Sequence, residues 1–477
     1  MTAARPLSAR VHRSGTVLGA AVVLVAAAVW AAHHGLQAAT YGDETGSRLA
    51  VVWMATFLLL LSQTVMYHCE RPRRVSPRVR RQLDALHVAV LLPVYNEDDG
   101  YLRLGLQSFL DQTRRPDSVH VVDDGSTSGD YAAVRAWWMR AAAAAGIATT
   151  WQRTTNGGKR HAQAAGVQAS PEADVYVTVD SDSCLAPNAL EELLLPFARR
   201  RVQSVAGIVL ATNHRANLLT RITDLWFTTG QLTDRSALSA MGAVLVNSGP
   251  LAAYRAPVVR DNLGSYLGET FMGRPVMFSD DSLLTLYALL RGRTVQQPSA
   301  IVFTALPEKA SHFGRMYMRW MRGSTIRSVW RMRYLPLSGW AYWAHLLRWF
   351  QVALSTTVLG WLLVVEPLRY GTTPPPAFLL VPFLIGWAQA LRYLGVIRSD
   401  ERMRQRAVTW LLMPFAVIGA WTWLRGMRWY GMATCARTGW GTRQNGAEVS
   451  LAAAAAPDSP PAPDVDSTLQ LAALPIR

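Results

Sequence analysis

The stretch VYVTVDSDS, Val175–Ser183, runs through strand-forming residues and then stops in two carboxylates one residue apart. VHVVDDGS (Val119–Ser126) ends the same way, and VAVLLPVYNE (Val88–Glu97) and SVAGIVLAT (Ser204–Thr212) are further apolar runs closed by polar residues. Helical stretches separate them. Short strands alternating with helices predict an open α/β sheet, and in such sheets ligands sit outside the carboxyl ends of the strands. The polar clusters should therefore meet in one crevice.

The carboxylates carry the chemistry of that crevice. An Asp-x-Asp turn, Asp180–Asp182, can present two carboxylates to one divalent cation while leaving positions open for substrate phosphates, the arrangement Mg2+ or Mn2+ favours. Such a cation neutralises charge on a departing diphosphate. Taken alone, DDGS or DxD is a common acidic turn; closing two successive strands, the pair points to a nucleotide-binding α/β domain. Tyr95 offers a flat ring for stacking at the end of the first strand. GGKR, Gly157–Arg160, sets glycines before Lys159 and Arg160, a plausible clamp for a phosphate or a base. Lys159 and Lys309 are the only lysines of the chain, so a lysine here is not background composition. FSDDSLLT, Phe278–Thr285, puts Asp280 and Asp281 at the start of a helical pattern, where one would serve as N-cap and the other suits a general base. NSGPLAAYR, Asn247–Arg255, reads as a Gly-Pro turn followed by a helix. Met318–Ser324 sets the cation of Arg319 beside the ring of Trp320.

Outside the α/β region the chain is apolar. Half of the 477 residues are hydrophobic, only 17% are charged, and the formal net charge is +16. The arginines gather beside apolar runs and not on one separable domain, which argues against nucleic acid and for a membrane surface. Runs at Gly15–Gly35 and Leu49–His68 approach the ~20 residues that cross a bilayer. Arg5, Arg10 and Arg13 precede the first, Asp43 and Glu44 lie between them, and a basic run from Arg71 to Arg81 follows the second, so the N-terminus and everything after Arg71 should face the cytoplasm. Between His312 and Tyr334 arginines and aromatics interleave at helical spacing, as in a helix lying on an anionic membrane face. Apolar runs resume at Trp340–Val365, Pro376–Ile397 and Val408–Leu424. Three crossings would leave the basic residues after Arg425 outside, against the charge rule, so the last run, which contains Pro414, is expected to be re-entrant or interfacial. Cys69, Cys184 and Cys435 form no metal or disulfide pattern and read as free thiols.

In order along the chain, these residues resemble the processive family 2 glycosyltransferases, and most closely the hyaluronan synthases and chitin-oligosaccharide synthases. The match covers roughly His87–Arg443. The resemblance implies an α/β GT-A nucleotide-sugar-binding domain inserted between N-terminal and C-terminal transmembrane helices, with catalysis by inversion and a pore through the helices. With the apolar runs and a tail rich in Ala, Pro, Asp and Ser that reads as disordered, the chain divides into a membrane region with two transmembrane helices at 1–82, a cytoplasmic catalytic domain at 83–308, interfacial helices at 309–336, a transmembrane region at 337–445 and a disordered tail at 446–477. The resemblance implies that Tyr95, Asp124 and Lys159 hold a uracil, that Asp180 contacts the nucleotide and Asp182 the metal, and that Asp281 is the catalytic base. Arg319 and Trp320 match the end of the family's QxxRW motif, and Trp440–Arg443 match its WGTR element, so Arg443 joins the donor-binding set. Departures are Ser279 and Ser282 around the two aspartates, where hyaluronan synthases carry GDDR, and Met316 in place of the glutamine. Expected partners are a UDP-sugar donor, UDP-GlcNAc in first place, a growing glycan or lipid acceptor, and the lipids of the plasma membrane, which the chain crosses several times. The rival readings are a single transfer to a lipid acceptor such as polyprenyl phosphate and a non-catalytic membrane scaffold.

Overall fold

The computed structural model describes residues 6–12, 15–38, 59, 62–371, 376–439 and 449–450. The expected span Leu49–His68 and the Trp440–Arg443 element fall largely or wholly outside these residues. In chain order the strands are β1 (Ala9–Val11), β2 (Val88–Val94), β3 (Ser118–Asp123), β4 (Ala148–Arg153), β5 (Val175–Thr178), β6 (Cys184–Leu185), β7 (Val202–Ala211), β8 (Ala252–Arg255), β9 (Thr270–Phe271), β10 (Arg274–Pro275), β11 (Arg293–Thr304) and β12 (Val396–Arg398).

Eight of them form one sheet in the order β4-β3-β2-β5-β8-β7-β11-β6. The block β4-β3-β2-β5 is parallel, and β8 runs antiparallel to both β5 and β7. Every residue of β2 is buried, because a central parallel strand is covered on both faces. Val88, Val90, Leu92 and Val94 pack with Leu106, Phe109 and Trp138 on one side, while Ala89 and Leu91 pack with Val167, Tyr176 and Tyr254 on the other. Pro93 is tolerated in this strand for a geometric reason. The carbonyl of Leu91 accepts from Val179 on the β5 side and that of Val94 from Asp124 on the β3 side, so the missing N–H of Pro93 faces β5 beyond their last paired rung, Leu91 with Thr178. The expected helix after the Gly-Pro turn is instead strand β8: Ala252–Arg255 closes the gap between β5 and β7, and that pairing overrides local preference.

The apolar helices gather at one end of this body. Helix Gly15–Ala38 leaves β1, helix Pro376–Leu394 enters β12, and β1 pairs antiparallel with β12. Arg398 of β12 ties the ribbon to the sheet domain through Asp224 at 3.4 Å and the carbonyl of Ala211. Among the described residues, two helical stretches, Trp340–Tyr370 and Met403–Ala433, are long and apolar enough to cross a membrane. The second is broken into Met403–Leu411, Met413–Trp421 and Trp423–Ala433. Its start is held by Gln405, which accepts from Arg215 at 2.9 Å. Its end is held by Thr434, which accepts from Arg322 at 3.2 Å, and by the carbonyl of Thr438, which accepts from Met277 at 3.2 Å. Both ends therefore rest on the same body, with Pro414 and the middle helix packed beside Gly386 between them.

This arrangement sets a labelling experiment. In a background without Cys69, Cys184 and Cys435, cysteines replacing the exposed Ser399 and Arg437 should react with an impermeant maleimide from the same side of sealed vesicles, and Tyr370→Cys from the other side. Labelling of positions 399 and 437 from opposite sides would show that Met403–Ala433 crosses.

Candidate active site

The carboxyl ends of β2, β3 and β5 open into one cavity of about 930 Å³, whose wall includes Tyr95, Asp124, Lys159, Asp180, Asp182, Asp280, Asp281, Arg319 and Trp320. The two aspartates of DDGS divide the work of shaping it. Asp123 holds its own turn by accepting from Ser126 N–H at 2.9 Å. Asp124 accepts from the N–H groups of Gly157 and Gly158 at 2.9 and 2.8 Å, which fixes the GGKR loop and so the start of helix Lys159–Gln168. Burial pushes the Asp124 carboxyl up, and the two N–H donors pull against it.

Lys159 lies at the centre of a carboxylate cluster. Its Nζ is 2.6 Å from Asp180 and 3.2 Å from Asp280. Burial disfavours the ammonium, but Asp180 and Asp280 outweigh burial and hold Lys159 firmly charged. Asp280 is likewise kept low, since Lys159 overcomes the cost of burying it. Among the described residues Asp281 makes no such ion pair, and Lys159 pulls on it only from farther off. Burial, with Asp280 alongside, pushes its carboxyl up to about 7, while its Oδ1 accepts from Ser282 N–H at 2.6 Å. The N-cap of helix Asp280–Arg291 is Ser279, so neither aspartate takes the capping position expected of one of them.

Asp182 accepts from Thr304 Oγ1 at 2.9 Å at the end of β11. Among the described residues, no group of three or more His, Cys, Asp or Glu side chains is placed to hold a metal ion unaided. Yet Asp180 is pushed up by burial in spite of Lys159, with Asp182 and Asp280 adding to the rise. That surplus of crowded negative charge fits a divalent cation that draws its remaining ligands from water and substrate phosphates.

Arg319 and Trp320 reach the cavity from helix Ala310–Tyr334, and the half-exposed Trp320 ring leans on Phe227 with centroids 5.2 Å apart. From there the cavity continues between the apolar helices to Trp349, Gln389, Trp421 and Arg428.

Two expectations fail here for one reason. Arg160, read as a clamp, is buried behind the cavity and binds Glu269 at 2.7 Å and the carbonyls of Tyr266 and Phe278. Arg327 and Arg331 belong to the helix expected to show its arginines to a membrane, yet both are buried. Arg327 makes a two-pronged pair with Glu269 at 2.8 and 3.1 Å, and Trp330 donates to the same carboxylate at 2.8 Å. Arg331 donates to the carbonyl of Leu245 at 2.6 Å. Glu269, which no motif announces, neutralises two buried arginines and draws them inward. Two more residues escaped sequence reasoning, Thr304 and Arg235, because neither stands in a recognisable pattern.

The sequence pattern of Glycosyl transferase family 2 matches residues 89–263. Hyaluronan synthase of Streptococcus pyogenes is 34% identical over 411 residues, covering 85% of this chain and 92% of that protein. An N-acetylglucosaminyltransferase of Rhizobium meliloti is 35% identical over 245 residues, 51% of this chain and 56% of that one. Among solved structures, a mannosyltransferase from Pyrobaculum calidifontis in complex with GDP-Man and Mn2+ superposes with a TM-score of 0.51 at 20% identity, over 85% of this chain and 97% of that one.

The Glu269 hub should be visible in stability. Glu269→Gln keeps the shape but strands two buried guanidinium groups, a loss of about 3–5 kcal/mol where one partner of a buried pair is removed, so the thermal midpoint of the detergent-solubilised protein should fall. The arginines hold the Glu269 carboxyl below its ordinary range in the fold against the pull of burial. Its contribution is thus present above the ordinary carboxylate pKa and lost as pH falls through the folded value. The variant should lack that acid-dependent part, and equal midpoints for both proteins at neutral pH would refute the assignment.

Proposed function

The chain belongs to the family 2 glycosyltransferases, a GT-A enzyme similar to hyaluronan synthases over most of its length, and from that premise we propose that it transfers GlcNAc from UDP-GlcNAc, with inversion, to a growing β-linked glycan. The observation that carries the reading is the meeting, in one cavity, of the Lys159–Asp180 pair with Asp182, Asp281 and Trp320.

The donor enters at the strand ends. Tyr95 stacks on the uracil, Lys159 and Arg319 face the diphosphate, and Asp124 acts by holding the Gly157–Lys159 loop. Asp182, with Asp180, would hold Mg2+ or Mn2+, which when bound supplies neutralising charge to the diphosphate. Trp320 carries the acceptor ring. Asp281 takes the proton of the acceptor hydroxyl as its oxygen bonds to C1 of the sugar from the face opposite UDP, the C1–O bond to the β-phosphate breaks, and the electron pair leaves with UDP. In Asp281 a pKa near the working pH balances the fraction ionised against the strength of the base.

The acceptor lies toward Trp320, and the continuation of the cavity between the apolar helices supports a path by which the lengthening product leaves. The catalytic body faces the cytoplasm, where nucleotide sugars are made, in keeping with the basic run Arg71–Arg81 after the second apolar segment. Arg443, outside the described residues, is assigned to the donor pocket on the family's motif alone.

Asp281→Asn should bind UDP within about twofold of wild type while losing transfer by a factor of about 10² to 10⁴, the usual worth of a general base. Asp281 must be ionised to accept a proton, so wild-type kcat should rise with pH through about 7 and level off above it. A pH-independent kcat, or an active Asn variant, would remove Asp281 as base. Purified protein given a panel of UDP-sugars should release UDP with UDP-GlcNAc, lose turnover in EDTA and regain it with Mn2+, and yield a high-mass ladder. One small lipid-linked product would favour transfer to a lipid acceptor, and turnover untouched by EDTA would remove the metal.

A further inference from the structure

Helix Leu218–Gly230 runs into a wider π turn, Gln231–Arg235, before Ser236–Met241 continues. Such a turn breaks the regular ladder, and such insertions cluster at functional sites. The carbonyls here find partners in distant parts of the chain. Gln231 O accepts from Gln296 Nε2 at 3.1 Å, and Leu232 O accepts from Arg392 of helix Pro376–Leu394.

These bonds belong to a longer alternating chain of buried groups. Arg392 Nη2 lies 3.6 Å from Glu70, just after the second apolar run, and its guanidinium sits 5.2 Å over the ring of Tyr67. Glu70 accepts from Ser236 Oγ and, at 3.1 Å, from Gln296 Nε2. Gln296 turns its oxygen the other way, to Arg235 Nε. The two charges fix that amide, because a carboxylate takes only its N–H and a guanidinium only its oxygen. Arg235 then donates through Nη1 to Ser248 Oγ. The next residue, Gly249, is pressed on the donor pair: a Cβ there would lie 3.0 Å from Asp180 Oδ2 and 3.1 Å from Lys159 Nζ. Arg235, Gln296, Glu70 and Arg392 are all at least nine-tenths buried, so water does not replace these bonds.

We propose that Glu70 and Arg392 are positioning residues for donor binding, acting through Gln296 and Arg235 to hold the Ser248–Gly249 wall against Asp180 and Lys159. The packing of the apolar helices around Tyr67 and Arg392 thereby sets the affinity of the nucleotide site. This rests on the reading of Asp180 and Lys159 as the donor site, and it gives that site a dependence on the membrane segment that the chemistry alone does not require.

The test uses full-length protein in lipid nanodiscs, with UDP binding measured by calorimetry in Mn2+ and steady-state rates measured with UDP-GlcNAc. Gln296→Met and Glu70→Gln should each raise the UDP Kd and the donor KM about fivefold or more, with kcat at saturating donor within about twofold. Gln296→Met and Ser248→Ala combined should cost less than the sum of the two, since both cut one path. Loss of kcat or of active fraction with Kd and KM unchanged would reduce the chain to packing, and additive effects would equally overturn the proposal. Should Gln296→Met not give monodisperse protein, Glu70→Gln, which keeps the shape and an acceptor for Ser236, decides the matter. UDP binding that Asp180→Ala abolishes and Gln296→Met leaves intact would remove the coupling alone. A wild type that binds no UDP would remove the donor reading and the coupling with it.

Discussion

Four carboxylates and one ammonium share the centre of this molecule, and the rest of the site answers to that imbalance. Lys159 satisfies Asp180 and Asp280. Asp281 is left to buried surroundings and to the repulsion of its neighbour. An ammonium can serve two carboxylates from a narrow space where the wide fork of an arginine could not. The closeness of Gly249 shows how narrow the space is, for even a methyl group there would press on Nζ. One cation thus separates three aspartates: Asp280 is held low, Asp180 is paired yet still pushed up by burial, and Asp281 is pushed up by burial and by Asp280. Catalytic sites separate titrating groups in this manner, by environment and not by residue type.

Glu269 plays the complementary part outside the cavity. It receives Arg160 from the helix that begins with Lys159, and Arg327 and Trp330 from the helix that carries Arg319 and Trp320. A bidentate guanidinium pair is directional as well as strong. The Lys159 side and the Trp320 side of the cavity are therefore fixed relative to each other by one carboxylate that never touches it. Charge that reads in the sequence as facing solvent or lipid serves inside as framework.

Much of this was legible because strand ends carry the chemistry. β2, β3, β5 and β7 are apolar runs that stop at polar clusters, and each was recognisable from that change alone. β4 reads ATTWQR, an edge strand with too few apolar residues to show a pattern, and β8 is four residues whose only distinction is the gap they fill. β11 contains Pro298 and register shifts between Gln296 and Ile301, which break its periodicity. The fates of Arg160 and Arg327 were not legible, since nothing in a basic side chain tells whether a carboxylate from a distant loop will meet it. The conflict between charge and crossing number near the C-terminus was legible as a conflict. In the structure the last apolar run is the three-part helix Met403–Ala433, bonded to Arg215 at its start and to Arg322 just past its end.

Ser279 shows how a departure from the family's pattern is accommodated. It stands where hyaluronan synthases carry a glycine, and its backbone is left-handed at φ 63° and ψ 37°, a conformation that costs a side-chain-bearing residue about 1–3 kcal/mol. Two features offset that strain. Ser279 Oγ lies 2.5 Å from Ser282 Oγ, so the two serines that replace the flanking residues of GDDR bond to each other across Asp280 and Asp281. Across the gap stands Gly323, where a Cβ would come within 2.8 Å of Ser279 Oγ. The room a glycine at 279 would have provided is supplied from the facing helix instead. Since that helix also carries Arg319 and Trp320, the substitution draws those two residues and the aspartate pair into one packing unit, and the placement of Asp281 depends on both.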